Sequence, residues 1–162
     1  MRALLLAVVS FGSMELISYA VHRWVMHGVG MVWHRSHHAA PVGRFERNDL
    51  YPVCFAAAGV ALFAIPALGW VPDLFWVGVG VTAYGTIYLF VHDLYIHRRV
   101  PVTVPRLRYL EWLRSAHGDH HRRGGEPYGM LLPLVRDAPA ARRSRPDLLD
   151  RSVGADRSEV TR

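Results

Sequence analysis

The sequence predicts an all-α fold, an integral-membrane helical bundle. Three observations predict it: three long apolar stretches, a lopsided distribution of arginine, and ten histidines gathered at the ends of those stretches. The 162 residues suit one domain. Hydrophobic residues make up 51% of the chain and charged residues 20%, with a mean hydropathy of +0.12, which excludes a chain that is disordered throughout. The single cysteine, Cys54, excludes an internal disulfide and an all-cysteine iron–sulfur cluster or thiolate-rich zinc finger built by this chain alone. All nineteen basic residues are arginine, and nothing in their placement points to nucleic acid.

A helix crossing a bilayer needs about 20 predominantly apolar residues. Residues 3–21, 53–71 and 74–91 meet that requirement. The first stretch reads as a span rather than a cleaved secretion signal, because Arg2 is its only preceding basic residue, Glu15 interrupts it and no A-x-A site precedes His22. The second contains Pro66, where a kink is expected. Trp70-Val71-Pro72-Asp73 joins the second and third as a tight membrane hairpin. None carries the polar stripe of a soluble amphipathic helix.

Arginine counts orient the spans. Arg23, Arg35, Arg44 and Arg47 follow the first span, the hairpin turn has no basic residue, and residues 92–162 hold fourteen arginines against nine acids. The segments after the first and third spans are therefore expected in the cytoplasm, with the protein in the cytoplasmic membrane. Residues 105–117 read as an interfacial helix, with Leu107, Leu110 and Leu113 every third residue beside Tyr109 and Trp112. The apolar run 127–133 is too short to span and reads as a re-entrant or capping segment. Residues 1–136 form the membrane-embedded domain, and 137–162, without apolar periodicity, read as a disordered polar tail.

Every histidine belongs to a motif. His22 and His27 form H-x4-H; His34, His37 and His38 form H-x2-H-H; His92 and His97 repeat the first pattern; His117, His120 and His121 repeat the second. On a helix, residues at i, i+3 and i+4 share a face, so each H-x2-H-H is expected to aim three imidazoles at one point. Positions five apart differ by about 140° on an α-helix, so each H-x4-H converges only if its helix ends or bends, and Gly28 and Gly30 suit such an end. Two repeats of five imidazoles predict two metal ions, and with three spans all four motifs reach the same side of the membrane. The fold class is thereby completed by a histidine-rich di-metal site on the cytoplasmic face. Imidazole suits Fe, Zn, Cu or Ni without choosing among them. Asp93 and Asp119 are candidates to accept an imidazole N–H from behind. Glu15, Tyr84 and Tyr88, with Tyr19, share helix faces with His22 and His92 and are further candidates, Glu15 because an ionisable residue within a span points to function. No G-x-G-x-x-G, Walker or G-x-S-x-G pattern is present, so electrons for any redox chemistry must come from another protein.

The segments His22-Arg23-Trp24-Val25-Met26-His27-Gly28, Trp33-His34-Arg35-Ser36-His37-His38, Phe45-Glu46-Arg47-Asn48-Asp49-Leu50-Tyr51, Thr82-Ala83-Tyr84-Gly85, Val91-His92-Asp93 and Ala116-His117-Gly118-Asp119-His120-His121 occur in this order. Together, over residues 14–132, they resemble the bacterial β-carotene hydroxylases of the membrane fatty acid hydroxylase superfamily. The resemblance implies that all ten histidines bind two non-haem iron ions, with O2 as co-substrate. It implies hydroxylation at C3 of β-ionone rings, β-carotene passing through cryptoxanthin to zeaxanthin or a 4-keto ring being used. The implied partners are a carotenoid dissolved in membrane lipid and a ferredoxin or similar donor with an NAD(P)H-dependent reductase, which the arginine-rich face would dock. Two segments depart from the family pattern: Pro127-Tyr128-Gly129-Met130 replaces a Ser-Phe-Gly-Phe-like stretch, and Leu94 replaces a glycine after His-Asp. The family is often drawn with four spans, against three here. Alternatives are a sterol or fatty-acyl hydroxylase or desaturase of the same superfamily and, from another class, a metal transporter or a haem- or metal-binding membrane protein without enzymatic activity.

Overall fold

The computed structural model describes residues 1–39, 43 and 45–133. Helix α1 (Arg2–Ala20) runs on without a break into a π-helical stretch, Val21–Val29. A short helix α2 (Met31–His38) follows. After a 3-10 turn (Arg47–Asp49) come α3 (Leu50–Ala67) and α4 (Leu74–Leu89), the latter extended by a second π-helical stretch, Phe90–Ile96. Helix α5 (Arg108–Arg123) completes an all-helical architecture, with no strand among the described residues.

Three of these units are long and apolar enough to cross a membrane: Arg2–Val29, Arg47–Ala67 and Leu74–Ile96. Leu4, Leu5, Val8 and Leu16 on α1, and Val53, Phe55 and Val60 on α3, are exposed, as lipid-facing side chains must be. At 1.5 Å per residue, His22 stands about 30 Å along its helix from Arg2 and His92 about 27 Å from Leu74, close to the thickness of the hydrocarbon core. The histidines therefore fall at one end of the bundle because the first and third spans run in the same direction. At the other end, Arg2 pairs with Asp73 in the hairpin turn.

Helix α4 lies between α1 and α3 and meets both through glycine. A Cβ on Gly80 would lie 2.2 Å from the Ala7 carbonyl oxygen, and one on Gly78 3.1–3.2 Å from Phe63 and Leu62. Apolar side chains gain little by leaving lipid for a helix interface, so close backbone approach at small residues supplies the packing.

The second span starts and stops earlier than expected. Pro66 does not kink a helix reaching residue 71; it occupies the last turn of α3. Gly69 adopts a left-handed φ of 84°, the Gly69 N–H bonds the Pro66 carbonyl at 2.9 Å and the Trp70 N–H bonds Ile65 at 3.2 Å. This Schellman arrangement caps α3 and turns the chain toward α4.

The interfacial helix also differs from its expected 105–117 extent. Leu107 is still extended, and α5 continues to Arg123, so it carries the second H-x2-H-H motif itself. Leu110 and Leu113 are buried with Val91, Tyr95 and Met130, whereas Leu107, Tyr109 and Trp112 are exposed. The run 127–133 caps the bundle, lying against α1 through hydrogen bonds described below. The tail 137–162 and the last residues of the 1–136 domain lie outside the described residues.

Candidate metal centre

Each H-x4-H sits on a π-helical stretch. No end or bend falls between the two histidines of either pair, where the helix widens instead; the end expected at Gly28 is found just after His27. Gly30 N–H bonds the Val25 carbonyl at 2.7 Å and His97 N–H bonds the His92 carbonyl at 2.9 Å, both spanning five residues. That hydrogen-bond register stacks residues five apart over one another, leaving ring centroids 5.1 Å apart for His22 and His27 and 4.5 Å for His92 and His97. The direction then breaks at Gly28, whose φ and ψ of −103° and −117° are non-helical, and α2 begins. Gly30 admits Tyr51, whose hydroxyl donates to the Gly30 carbonyl at 2.8 Å; a Cβ there would lie 1.9 Å from that hydroxyl.

The imidazole nitrogens form two groups. Donor atoms of His22, His27, His34, His38 and His120 all lie within 4.8 Å of one another, and so do those of His37, His92, His97 and His117. His121 lies outside both sets but borders the second, its Nε2 2.8 Å from Nε2 of His117, while its ring stacks on His38 of the first at 4.4 Å. The three imidazoles of one H-x2-H-H do not meet at one point, as expected; they divide. In both motifs the i and i+4 rings go together while the i+3 ring goes to the other group. On a helix the i+4 position is about 40° from i, but i+3 and i+4 are about 100° apart. The first group thus holds four histidines from the first half of the chain plus His120, and the second holds three from the second half plus His37, with His121 at its border.

The donors fit metal ions. Metal–imidazole bonds of about 2.0–2.1 Å place adjacent nitrogens about 2.9–3.4 Å apart for octahedral or tetrahedral angles. Here Nε2–Nε2 separations are 3.2 Å for His22 and His34, 3.0 Å for His27 and His120, 3.1 Å for His34 and His38, 3.1 Å for His37 and His92, and 3.0 Å for His97 and His117. Neutral imidazole is the binding form, and burial secures it. Loss of hydration pushes His34 and His120 down to about 4 and His97 and His121 to about 3, and holds His37, His38 and His117 below the usual imidazole range.

Acceptors behind the rings fix which nitrogen faces inward. Nδ1 of His22 lies 2.9 Å from the Tyr128 carbonyl, that of His34 2.7 Å from Asn48 Oδ1, and that of His120 2.5 Å from the Gly125 carbonyl. Nδ1 of His37 lies 3.3 Å from Glu46 Oε2, and that of His92 3.4 Å from Asp93 Oδ2. With Nδ1 donating outward, the Nε2 lone pairs are left to face each group's centre. Arg99 braces this end, bonding Asp49 at 2.5 and 2.7 Å and Asp93 at 3.1 Å.

Of the other residues singled out in the sequence, Asp93 sits behind a histidine and Tyr88 stacks on His92 at 5.2 Å. Asp119 takes a different partner, the exposed Arg122 at 2.5 Å. Glu15 and Tyr84 touch no imidazole; Tyr84 donates to Glu15 at 2.6 Å. Tyr19 donates to Glu126 at 2.8 Å. Sequence reasoning assigned no role to Asn48, Glu46 or the carbonyls of Gly125 and Tyr128. Four consecutive polar residues, Glu46-Arg47-Asn48-Asp49, just before an apolar span were the available signal for the first two; backbone carbonyls leave none.

An apolar cavity of about 460 Å³ opens between α1, α3 and α4. Met14, Phe55, Gly59, Phe63, Val81 and Gly85 line it, and His22 and His92, one ring from each group, wall its inner end beside Tyr84 and Tyr88. Its size is that of sites holding small organic ligands.

Fold and site thus define a class: a helical membrane protein with paired all-imidazole groups, able to hold metal ions, at one end of its spans. The fatty acid hydroxylase family model matches residues 7–138, and the chain belongs to that family. It is 45% identical over 150 residues to a β-carotene hydroxylase of Pantoea ananas, covering 89% of this chain and 85% of that one. It is 40% identical over 141 residues to a β-carotene hydroxylase of Paracoccus sp. (strain PC1), covering 86% of each. A chloroplastic β-carotene 3-hydroxylase of Haematococcus lacustris is 36% identical over 140 residues, 80% of this chain and 42% of the relative. No solved structure matches the chain at a significant level.

Proposed function

We propose that this protein hydroxylates carotenoids, adding an oxygen atom from O2 at C3 of β-ionone rings and so taking β-carotene through cryptoxanthin to zeaxanthin. The bacterial relatives named for β-carotene hydroxylation support the substrate class. The observation that carries the reading is the apolar cavity between the spans, which meets both histidine groups at its inner end. A lipid-dissolved ring can enter it from the side of the bundle without crossing water.

The ten histidines would hold two non-haem iron ions, His22, His27, His34, His38 and His120 around one and His37, His92, His97, His117 and His121 around the other. When bound, the pair would supply O2 activation, with two electrons and two protons reducing the second oxygen atom to water and the first ending in the new C–OH bond. The protein's part is positioning and exclusion of water. Phe55, Phe63 and Val81 bind the ring by apolar contact, and Tyr84 and Tyr88 narrow the approach to His92. The Tyr128 ring covers the first group, its centroid 5.1–5.4 Å from those of His22, His27 and His120. Asn48, Glu46 and Asp93 hold imidazole N–H protons at Nδ1, keeping Nε2 free to ligate.

The arginine distribution supports a cytoplasmic site, where a ferredoxin or similar donor served by an NAD(P)H-dependent reductase would dock on the basic face by electrostatic attraction. Expression in a bacterium that accumulates β-carotene, followed by pigment chromatography and metal analysis of the purified protein, tests the reading. Cryptoxanthin and zeaxanthin are expected, with two irons per chain. Unchanged pigment alongside newly hydroxylated sterol or fatty acid would move the activity to another branch of the family; no hydroxylated product and no bound iron would overturn it.

A further inference from the structure

Glu15 lies deep in the first span, about 10 Å along the helix from His22, with no cationic side chain among its described partners. A carboxylate at that depth is costly unless its oxygens are satisfied. Oε1 accepts the backbone N–H groups of Met130 at 2.9 Å, Leu131 at 3.1 Å and Leu132 at 2.9 Å, and Oε2 accepts the Tyr84 hydroxyl at 2.6 Å. The three N–H groups form a concave nest around one oxygen. A Cβ on Gly129 would lie 3.0 Å from the same oxygen and 2.6 Å from the Leu132 carbonyl, so the turn closes this tightly only with glycine there.

The segment gripped in this way, residues 124–132, is the strap that backs the first histidine group. Its Gly125 carbonyl takes Nδ1 of His120, its Tyr128 carbonyl takes Nδ1 of His22, and the Tyr128 ring covers both. Among the described residues the second group has no such cover: a cleft of about 430 Å³ lined by Glu111, Arg114, Ser115 and Arg122 reaches His97, His117 and His121. Tyr109 adds a hydrogen bond to the Leu131 carbonyl from α5.

We propose that Glu15 is a positioning residue that locks this strap, thereby orienting His22 and His120 and shielding the first metal site on the side away from the apolar cavity, where the described residues leave the second reached by the cleft. Glu15 touches no ligand itself; it acts through the strap. The proposal rests on the metal-binding part of the reading above and not on the identity of the substrate.

The test uses the full chain in detergent, loaded with cobalt(II), whose visible absorption reports each site as EDTA removes the metal. The wild type should lose one ion quickly and one slowly. Glu15→Ala should speed the slow phase by about tenfold or more, leave the fast phase unchanged, and speed chymotryptic cleavage after Tyr128. Leu132→Pro removes one donor to Glu15 without touching the span and should shift the same phase in the same direction; Glu15→Gln, which keeps an acceptor oxygen, should fall between wild type and Glu15→Ala. Unchanged slow release and unchanged cleavage in Glu15→Gln and Leu132→Pro would overturn the proposal, even if Glu15→Ala failed to fold. So would equal acceleration of both phases with a lowered melting temperature, which marks a general structural role. A wild type that binds no cobalt would sink the metal reading instead, and the cleavage rates measured on metal-free protein would still decide the role of Glu15.

Discussion

His37 and His120 sit across from their own halves of the chain. His120, from α5, meets His27 at 3.0 Å in the group built otherwise by residues 22–38, and His37, from α2, meets His92 at 3.1 Å in the group built otherwise by residues 92–117. Each is the i+3 member of its H-x2-H-H motif, and the exchange ties the first and third spans together through two histidine groups rather than one.

The crossing separates the two histidines experimentally. His37→Ala should reduce bound iron by weakening the second site, and His120→Ala by weakening the first, each with hydroxylation lowered by more than roughly 100-fold, beyond the usual cost of losing a partner behind a ligand. Metal analysis with product chromatography checks this. Two irons and near-normal turnover in either variant would contradict the grouping.

Asn48 is buried and holds His34 by its Nδ1 at 2.7 Å. Asn48→Ala leaves that N–H without its acceptor and lets the ring turn, so iron affinity or activity should fall about 10–100-fold. Asn48→Asp keeps an acceptor oxygen and should be milder. Iron titration of the three proteins compares them; an alanine variant as tight as wild type would remove Asn48 from the site.

Gly85 borders the apolar cavity, and a Cβ there meets no atom within 4 Å. Gly85→Phe should therefore fill the cavity without disturbing the backbone, cutting carotenoid turnover at least about tenfold while bound iron stays at the wild-type level. An undiminished rate would mean that the substrate reaches the histidines by another route.

Acid should destabilise the metal-free protein. His34 and His120 are pushed down to about 4 and His97 and His121 to about 3 by burial, whereas an unfolded chain takes up these protons near 6.5. Between those values the unfolded state binds more protons, so stability is fully present above about pH 6.5 and is lost as the pH falls through 4 and 3. Melting temperatures of metal-free protein in detergent at pH 7.5 and 5.0 measure the effect, and an equal or higher value at pH 5.0 would contradict it. Metal should protect, since it competes with protons for the same nitrogens.

The sequence by itself determined three spans, the gathering of the four histidine motifs at one end of the bundle and their division into two groups able to hold a metal. These follow from local quantities: apolar run length against bilayer thickness, and motif spacing along one helix. Only the tertiary structure decided how the imidazoles are shared. The widening of both H-x4-H segments into π-helix depends on the backbone hydrogen-bond register, and the same residue types would also fit a helix end. The division of each H-x2-H-H arises because 100° between i+3 and i+4 is small enough to look like one face in sequence but large enough to serve two centres once another helix stands on each side. Glu15 stood out in the sequence as an ionisable residue within a span, but its partners in the strap lie more than a hundred positions away, and the carbonyls of Gly125 and Tyr128 are backbone atoms that every residue carries, so neither the contacts nor the acceptors leave a mark in the order of side chains.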